Sequence, residues 1–134
     1  VCNTLRLLTD HKTFKHLPQK LVMPYQRLSQ SIKDKFRSVK KLDFGVEVKN
    51  NTFKFIKSSA IIPNTLAITY ALAIANSGNA KKIYLAGFDG YSNLERTKII
   101  DNLFYSYSAS KKSIPLIAIT PTAYSVPSTS IFVL

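Results

Sequence analysis

Residues 83–95 read Ile83-Tyr84-Leu85-Ala86-Gly87-Phe88-Asp89-Gly90-Tyr91-Ser92-Asn93-Leu94-Glu95, and the order of residue types in this stretch decides the fold class. A short apolar run ending at a glycine reads as a buried strand. Gly87 and the Asp89-Gly90 pair then mark a tight turn, glycine for its tolerance of positive φ and Asp for its side-chain bonds to nearby backbone. Ser92 followed three residues later by Glu95 matches a capping box, with Ser92 at the cap. Behind it Ile99, Ile100, Leu103, Phe104 and Tyr107 place one apolar face on a helix over about 93–109. A second apolar run, Ile114-Pro115-Leu116-Ile117-Ala118-Ile119-Thr120, reads as another strand, with Pro115 tolerable only at its start. The two strands are expected to be parallel neighbours joined by that helix.

Working outward, Pro63-Asn64 precedes a helical run over 65–76, with Asn64 as its N-cap and Gly78 as its C-cap. This run is apolar nearly all round, so it is expected to be buried on most faces. Residues 64–120 thus read helix, strand, helix, strand, a pattern that argues for a parallel sheet covered on both sides. The first half is less sharply written. Leu21-Val22-Met23, stopped by Pro24, reads as a strand, and Leu28, Ile32 and Phe36 place a helix over 26–37. Residues 42–48 alternate as a half-exposed strand, Asn50-Asn51 signals a turn, and Phe53, Phe55 and 58–60 continue extended, as a hairpin beside the main sheet. The tail from Pro121 carries an apolar end, Ile131-Phe132-Val133-Leu134, expected to add an edge strand or to pack on other protein. The expected architecture is α/β, three-layer and Rossmann-like, a mostly parallel sheet with helices on both faces, in one domain over 1–134.

The chain is 134 residues long and 46% apolar, enough for a core without covalent staples. The lone cysteine, Cys2, excludes an intramolecular disulfide framework and fits a reducing, cytoplasmic setting. The longest apolar stretch, Leu66 to Ala75, is too short for a membrane helix, and the opening Val-Cys-Asn-Thr-Leu-Arg lacks the pattern of a signal peptide. A chain opening mid-pattern at Val1 is expected to be a C-terminal piece of a longer protein. Net charge is +12, with +9 in residues 1–62 and +3 in the rest. Such a balance suits phosphates, nucleic acid or an acidic partner. It also follows from a lysine-rich composition, since 15 of the 19 basic residues are Lys.

Ligands of open parallel sheets bind beyond the carboxyl ends of the strands. Two loops leave strands there, 87–92 and 120–124. In the first, Gly87 and Gly90 permit close backbone approach, Asp89 offers a carboxylate, Tyr91 follows, and Ser92 opens a helix whose free N–H groups suit an anion. The competing reading is a plain turn in which Asp89 bonds its own loop. Asn64-Thr65 marks a second anion-ready helix start, or plain capping. His11 and His16 lie five apart without a carboxylate or thiol cluster, so no metal site is expected. Nucleotide-binding P-loop, Gly-x-Gly-x-x-Gly and hydrolase elbow motifs are absent from the sequence, and no cofactor is expected. The 15 aromatic residues fall mainly at core spacing, so nucleic acid is not an expected partner.

Residues 64–75 with Ala80-Lys81-Lys82-Ile83-Tyr84-Leu85-Ala86-Gly87-Phe88-Asp89-Gly90-Tyr91, and the ending Thr120-Pro121-Thr122-Ala123-Tyr124, resemble the C-terminal accessory domain of bacterial hydroxymethylglutaryl-lyase-type aldolases. These are 4-hydroxy-2-oxovalerate-like enzymes of surface-polysaccharide clusters. The resemblance is carried by residues 63–132. It implies an accessory or ligand-binding domain concerned with acidic or nucleotide-linked sugars, its lyase chemistry residing in a barrel domain N-terminal to it. A looser resemblance to sialyltransferases and pterin-pyrophosphokinase-like proteins implicates Gly87, Asp89 and Tyr91 in a nucleotide site. No His follows His16, so the general base of a sialyltransferase has no counterpart. Three function classes follow: a noncatalytic sugar-ligand domain, a nucleotide-sugar transferase domain, and a basic nucleic-acid-binding module. Association between copies fits any of them.

Overall fold

Pro24 ends the first strand as its fixed φ and missing N–H require, and the chain turns at once into a short 3-10 segment, Tyr25–Arg27. A computed structural model of the chain describes residues 4–133; Cys2 and Leu134 lie outside them. Two short helices come first, α1 (Thr4–Thr9) and α2 (His11–Lys15), followed by β1 (Leu21–Met23) and α3 (Gln30–Lys35). Four strands follow: β2 (Lys41–Asp43), β3 (Gly45–Val48), β4 (Lys54–Ile56) and β5 (Ser59–Ile62). The second half holds α4 (Ala67–Ser77), β6 (Ile83–Leu85), α5 (Leu94–Ser108) and β7 (Leu116–Ala118), and closes on a 3-10 turn, Ile131–Val133.

The three-layer, mostly parallel sheet is not what forms. The strands, three or four residues each, make three small sheets: β1-β2, β3-β5-β4 and β6-β7. The middle sheet is mixed, with β3 parallel and β4 antiparallel to β5. The physical reason lies in the 50–60 stretch. The β4–β5 hairpin does not lie beside the main sheet but inside the largest one, and it occupies the edge of β5 that β6 would need. With β3 on its other edge, β5 has no edge left, and the parallel pairing restarts as a separate pair.

Other boundaries move for local reasons. Residues 42–48 divide between two sheets at Phe44, whose N–H donates to Met23 O (3.0 Å) while Gly45 N donates to Ser58 O (3.1 Å). Residues 26–37 break at extended Leu28 and Ser29, so the helix is only α3, with Ile32 buried. The α4 helix begins at Ala67, later than expected, because the Asn64 side chain accepts from Leu66 N and from Thr69 Oγ1 and so holds the turn before it. Gly78 is its C-cap as expected, although the left-handed residue is Asn79. Only part of α4 is buried, Thr69, Tyr70, Leu72, Ala73 and Asn76, and the Ala67 and Ala71 side stays open. The cap of α5 is Asn93, which accepts from Arg96 N at 3.0 Å, and not Ser92. The tail makes an isolated parallel bridge, Ala118 to Ser128, and leaves Phe132 94% exposed.

The pairing of β6 with β7 is as expected. It is parallel, Ile83 opposite Leu116 and Leu85 opposite Ala118, with α5 between the strands in sequence. Pro115 lies just before β7, and its carbonyl accepts from Ile83 N. Yet β6 is not a buried strand, since Tyr84 is exposed. Three packed clusters form the interior. Leu7, Leu21, Met23, Ile32, Phe36 and Val39 hold the first 40 residues together. Phe44, Ala60, Ile62, Tyr70 and Ala73 pack α4 on the mixed sheet. Leu72, Leu85, Ile100, Leu103, Phe104, Tyr107, Leu116 and Tyr124 seat α5 on the β6–β7 pair. Among the described residues no helix is long and apolar enough to cross a membrane.

Candidate functional site

Because β6 and β7 are parallel, both chains leave them at the same end, and the two loops singled out by sequence meet there. Gly87 N donates to Thr120 Oγ1 (2.9 Å), Thr122 Oγ1 donates to Phe88 O (2.6 Å), and Ala123 N donates to Asp89 O (2.9 Å). These three bonds fasten residues 87–89 to residues 120–123 like rungs. Phe88 and Tyr124 then close the interior side, each edge-on to Phe104, with ring centroids 6.0 and 5.4 Å away. On the other side Thr97 Oγ1 donates to Tyr91 O and accepts from Tyr91 N, tying the loop to the first turn of α5.

Both glycines are needed for this course, for different reasons. Gly87 has φ +71 with open space where a Cβ would lie. Gly90 has φ +116, and a Cβ there would sit 2.8 Å from the Cβ of Ala123. Gly87→Ala is therefore expected to cost about 1–2 kcal/mol, the left-handed penalty alone. Gly90→Ala should cost more, about 2–4 kcal/mol, since strain and a steric clash add. Urea denaturation of the two variants checks this, and equal costs would show that the 120–123 loop gives way freely.

The rungs leave a cleft of about 500 Å³ lined by Gly87, Phe88, Asp89, Gly90, Tyr91, Ile100 and Tyr124, with Leu66, Ala67 and Ile68 from the start of α4. Four of the seven residues expected at a site therefore line one cleft. Asn64, Thr65 and Ser92 do not. The Asn64 side chain is spent on capping bonds, and Thr65 and Ser92 are exposed outside the cleft. The start of α4 still contributes, through Leu66, Ala67 and Ile68 rather than the polar pair before them.

The chemistry of the cleft is mixed. The Asp89 side chain is exposed, and among the described residues its carboxylate has no hydrogen-bond or ion-pair partner, so the loop does not consume it in a turn of its own. Burial holds the Tyr124 phenol above its usual value of 10.0, and nearby Tyr91 and Asp101 push it the same way. It is a neutral O–H donor at neutral pH. Asp101 is itself engaged, accepting from Ser125 N and Oγ. A smaller hollow of about 280 Å³ adjoins the cleft through Leu66, Tyr91 and Ile100 and brings in Arg96. The half-exposed Tyr91 thus belongs to both hollows, one holding the Asp89 carboxylate and the other Arg96.

Sequence reasoning placed the 120–124 loop at this end but gave Thr120, Thr122 and Tyr124 no individual role, and it missed Arg96. Thr120 and Thr122 carried a usable signal, since hydroxyls just past a strand commonly bond nearby backbone. Arg96 carried none, being one of 19 basic residues in the chain and set in no motif. His11 turns its Nδ1 to Leu8 O and stands on the separate N-terminal helices. No family model matches the chain, and no curated protein or solved structure matches it.

Proposed function

We propose that the chain is a ligand-binding accessory domain, and that the 87–91 cleft takes a nucleotide-linked or acidic sugar. The observation that carries this reading is the Asp89 carboxylate, without a partner among the described residues and exposed at a strand tip, in a cleft it shares with a half-exposed aromatic ring. Such a carboxylate accepts hydrogen bonds from vicinal hydroxyls, which an apolar ligand does not offer. The Tyr91 ring suits a base or sugar face, the Tyr124 hydroxyl donates, and Arg96 meets phosphate or an acid group from the adjoining hollow. The resemblance to accessory domains of hydroxymethylglutaryl-lyase-type aldolases supports sugar acids as the ligand class. On this reading the parent protein is a cytoplasmic lyase of polysaccharide synthesis, its chemistry belonging to a separate barrel domain, and copies of it associate.

The test is Asp89→Asn. The variant keeps the turn and the shape and loses only the charge. Folding stability should change by less than about 1 kcal/mol, because the carboxylate has no partner to lose among the described residues. Affinity should fall by about 1.5–3 kcal/mol as a charged hydrogen bond is removed. Calorimetric titration of cytidine nucleotides and acidic sugars into both proteins, with melts alongside, reads both quantities. A wild type that binds none of the panel, or a variant that binds equally well, refutes the reading.

A further inference from the structure

The β6–β7 pair is covered along one edge and open along the other. On the β7 side the tail runs beside it, with Ala118 N donating to Pro127 O and Thr129 N donating to Ala118 O. On the β6 side no strand pairs among the described residues. Ile83 N donates to Pro115 O (3.0 Å) and Leu85 O accepts from Ile119 N (2.9 Å), so these two residues turn their backbone groups to β7. In a parallel pair alternate residues point their backbone groups to opposite edges, and the N–H and C=O of Tyr84 therefore point outward. Neither has a partner among the described residues. Proteins commonly blunt such an edge with proline or a charged side chain, and residues 83–88, Ile-Tyr-Leu-Ala-Gly-Phe, contain neither.

A hollow of about 440 Å³ lies against this strand. Ile83, Tyr84 and Leu85 all line it, and since their side chains alternate between the two faces, the hollow meets the edge of β6 rather than one face. Ala67 and Ala71, on the open side of α4, form the opposing wall, and no charged residue lines the space. Charge stands next to it in the chain. Lys81 and Lys82 lead directly into β6, both exposed and, among the described residues, without an ion pair or side-chain hydrogen bond. With +12 on the whole chain, charge favours an acidic segment at this edge over a second copy.

We infer that the open edge of β6 takes an extended apolar segment ending in acidic residues, supplied by an acidic protein partner. The segment adds a third strand to the β6–β7 pair and exchanges backbone hydrogen bonds with the N–H and C=O of Tyr84. Its apolar side chains fill the hollow against Ala67 and Ala71. Its acidic residues fall opposite Lys82 and Lys81, as cross-strand neighbours of opposite charge. The backbone bonds give pairing without regard to sequence, and the apolar hollow and the two lysines select the partner. The hollow shares Ala67, Ile68 and Phe88 with the Asp89 cleft, but the inference does not depend on what that cleft binds.

The experiment is an amide-shift and hydrogen-exchange titration of the chain with two end-capped peptides, Thr-Val-Thr-Val-Glu-Glu and Glu-Glu-Val-Thr-Val-Thr. The first sets its glutamates opposite Lys82 and Lys81 in an antiparallel pairing, the second in a parallel one, and the tighter binder gives the direction. Saturable shifts are expected at Ala67, Ala71 and Tyr84. The Tyr84 amide should exchange about tenfold more slowly at saturation, because it gains an acceptor. The same peptides with lysine in place of glutamate should bind about tenfold more weakly, and the double variant Lys81→Glu, Lys82→Glu should reverse that preference. Tyr84→Pro removes the outward N–H and should abolish saturable binding. Ala71→Gln fills the hollow from an exposed helix position, leaves the strand intact, and should weaken binding about tenfold, the value of one lost apolar contact. No saturable shift with either glutamate peptide, equal binding of the lysine peptides, or a Tyr84 amide already protected in the free chain because two copies pair by this edge would each overturn the inference.

Discussion

Phe104→Ala is expected to lower folding stability by about 3–5 kcal/mol and to abolish ligand binding in the Asp89 cleft. Phe104 is 1% exposed and stands at the centre of the cluster that seats α5 on the β6–β7 pair. Its ring touches Phe88 of one cleft loop and Tyr124 of the other, edge-on in both cases. Removing it leaves a cavity the size of a benzene ring directly beneath both loops. The three hydrogen-bond rungs between residues 87–89 and 120–123 would remain, but they would rest on nothing rigid. Phe104→Leu, which keeps most of the volume, should cost about 1–1.5 kcal/mol and retain measurable affinity. Urea denaturation gives the stabilities, and titration of the ligand panel gives the binding. A Phe104→Ala protein losing less than about 1.5 kcal/mol would mean that the loops, not the helix, carry the packing.

This part of the molecule was also the part most legible in the sequence. Long apolar runs beside a capped, single-faced helix leave few alternatives, so β6, α5, β7 and their parallel pairing could be read directly. The earlier half resisted because its strands are three or four residues long, too short for periodicity to speak. Phe44 shows the difficulty: alternation runs unbroken across it from residue 42 to 48, yet the bonds on its two sides go to different strands. The sheet architecture was misread for a related reason. Whether the β4–β5 hairpin joins the sheet or lies beside it depends on which edge of β5 is free, and no local pattern encodes an edge. In the cleft, Gly87, Asp89, Gly90 and Tyr91 announced themselves by turn chemistry. Asn64, Thr65 and Ser92 sent the same polar signal, but their positions serve or border helix starts. The apolar residues of the α4 start took their place because the helix begins later than its cap-like residues suggest.

The replacement least foreseeable from sequence is Asn76→Leu, expected to cost about 2–4 kcal/mol through orphaned partners rather than lost volume. Asn76 is buried in a helix that is otherwise apolar over much of its face. Its Oδ1 accepts from Tyr107 Oη at 2.8 Å and from Ile114 N at 2.9 Å, and its Nδ2 donates to Lys112 O at 2.9 Å. One side chain thus pins the end of α4, the end of α5 and the entry to β7. Leucine fills the space but leaves the Tyr107 O–H and the Lys112 carbonyl unpaired. Tyr107→Phe removes one of the same bonds and should cost less, about 1–1.5 kcal/mol, since Ile114 N keeps Oδ1 as its acceptor. The double variant should cost less than the sum, because with Phe at 107 there is no orphaned hydroxyl for leucine to leave behind; a coupling of about 1 kcal/mol is expected. The pH dependence offers a separate check. Burial raises the Tyr107 phenol above 10.0, with the bond from Ile114 N pulling the other way. The folded state therefore binds this proton more tightly than the unfolded chain. Its contribution is fully present below pH 10.0 and is lost as pH rises through the higher folded value. The wild type should lose stability more steeply than Tyr107→Phe above that point in parallel denaturation series. Identical slopes would show that the phenol is not confined in the folded state, and additive costs in the double variant would show that Asn76 and Tyr107 act separately.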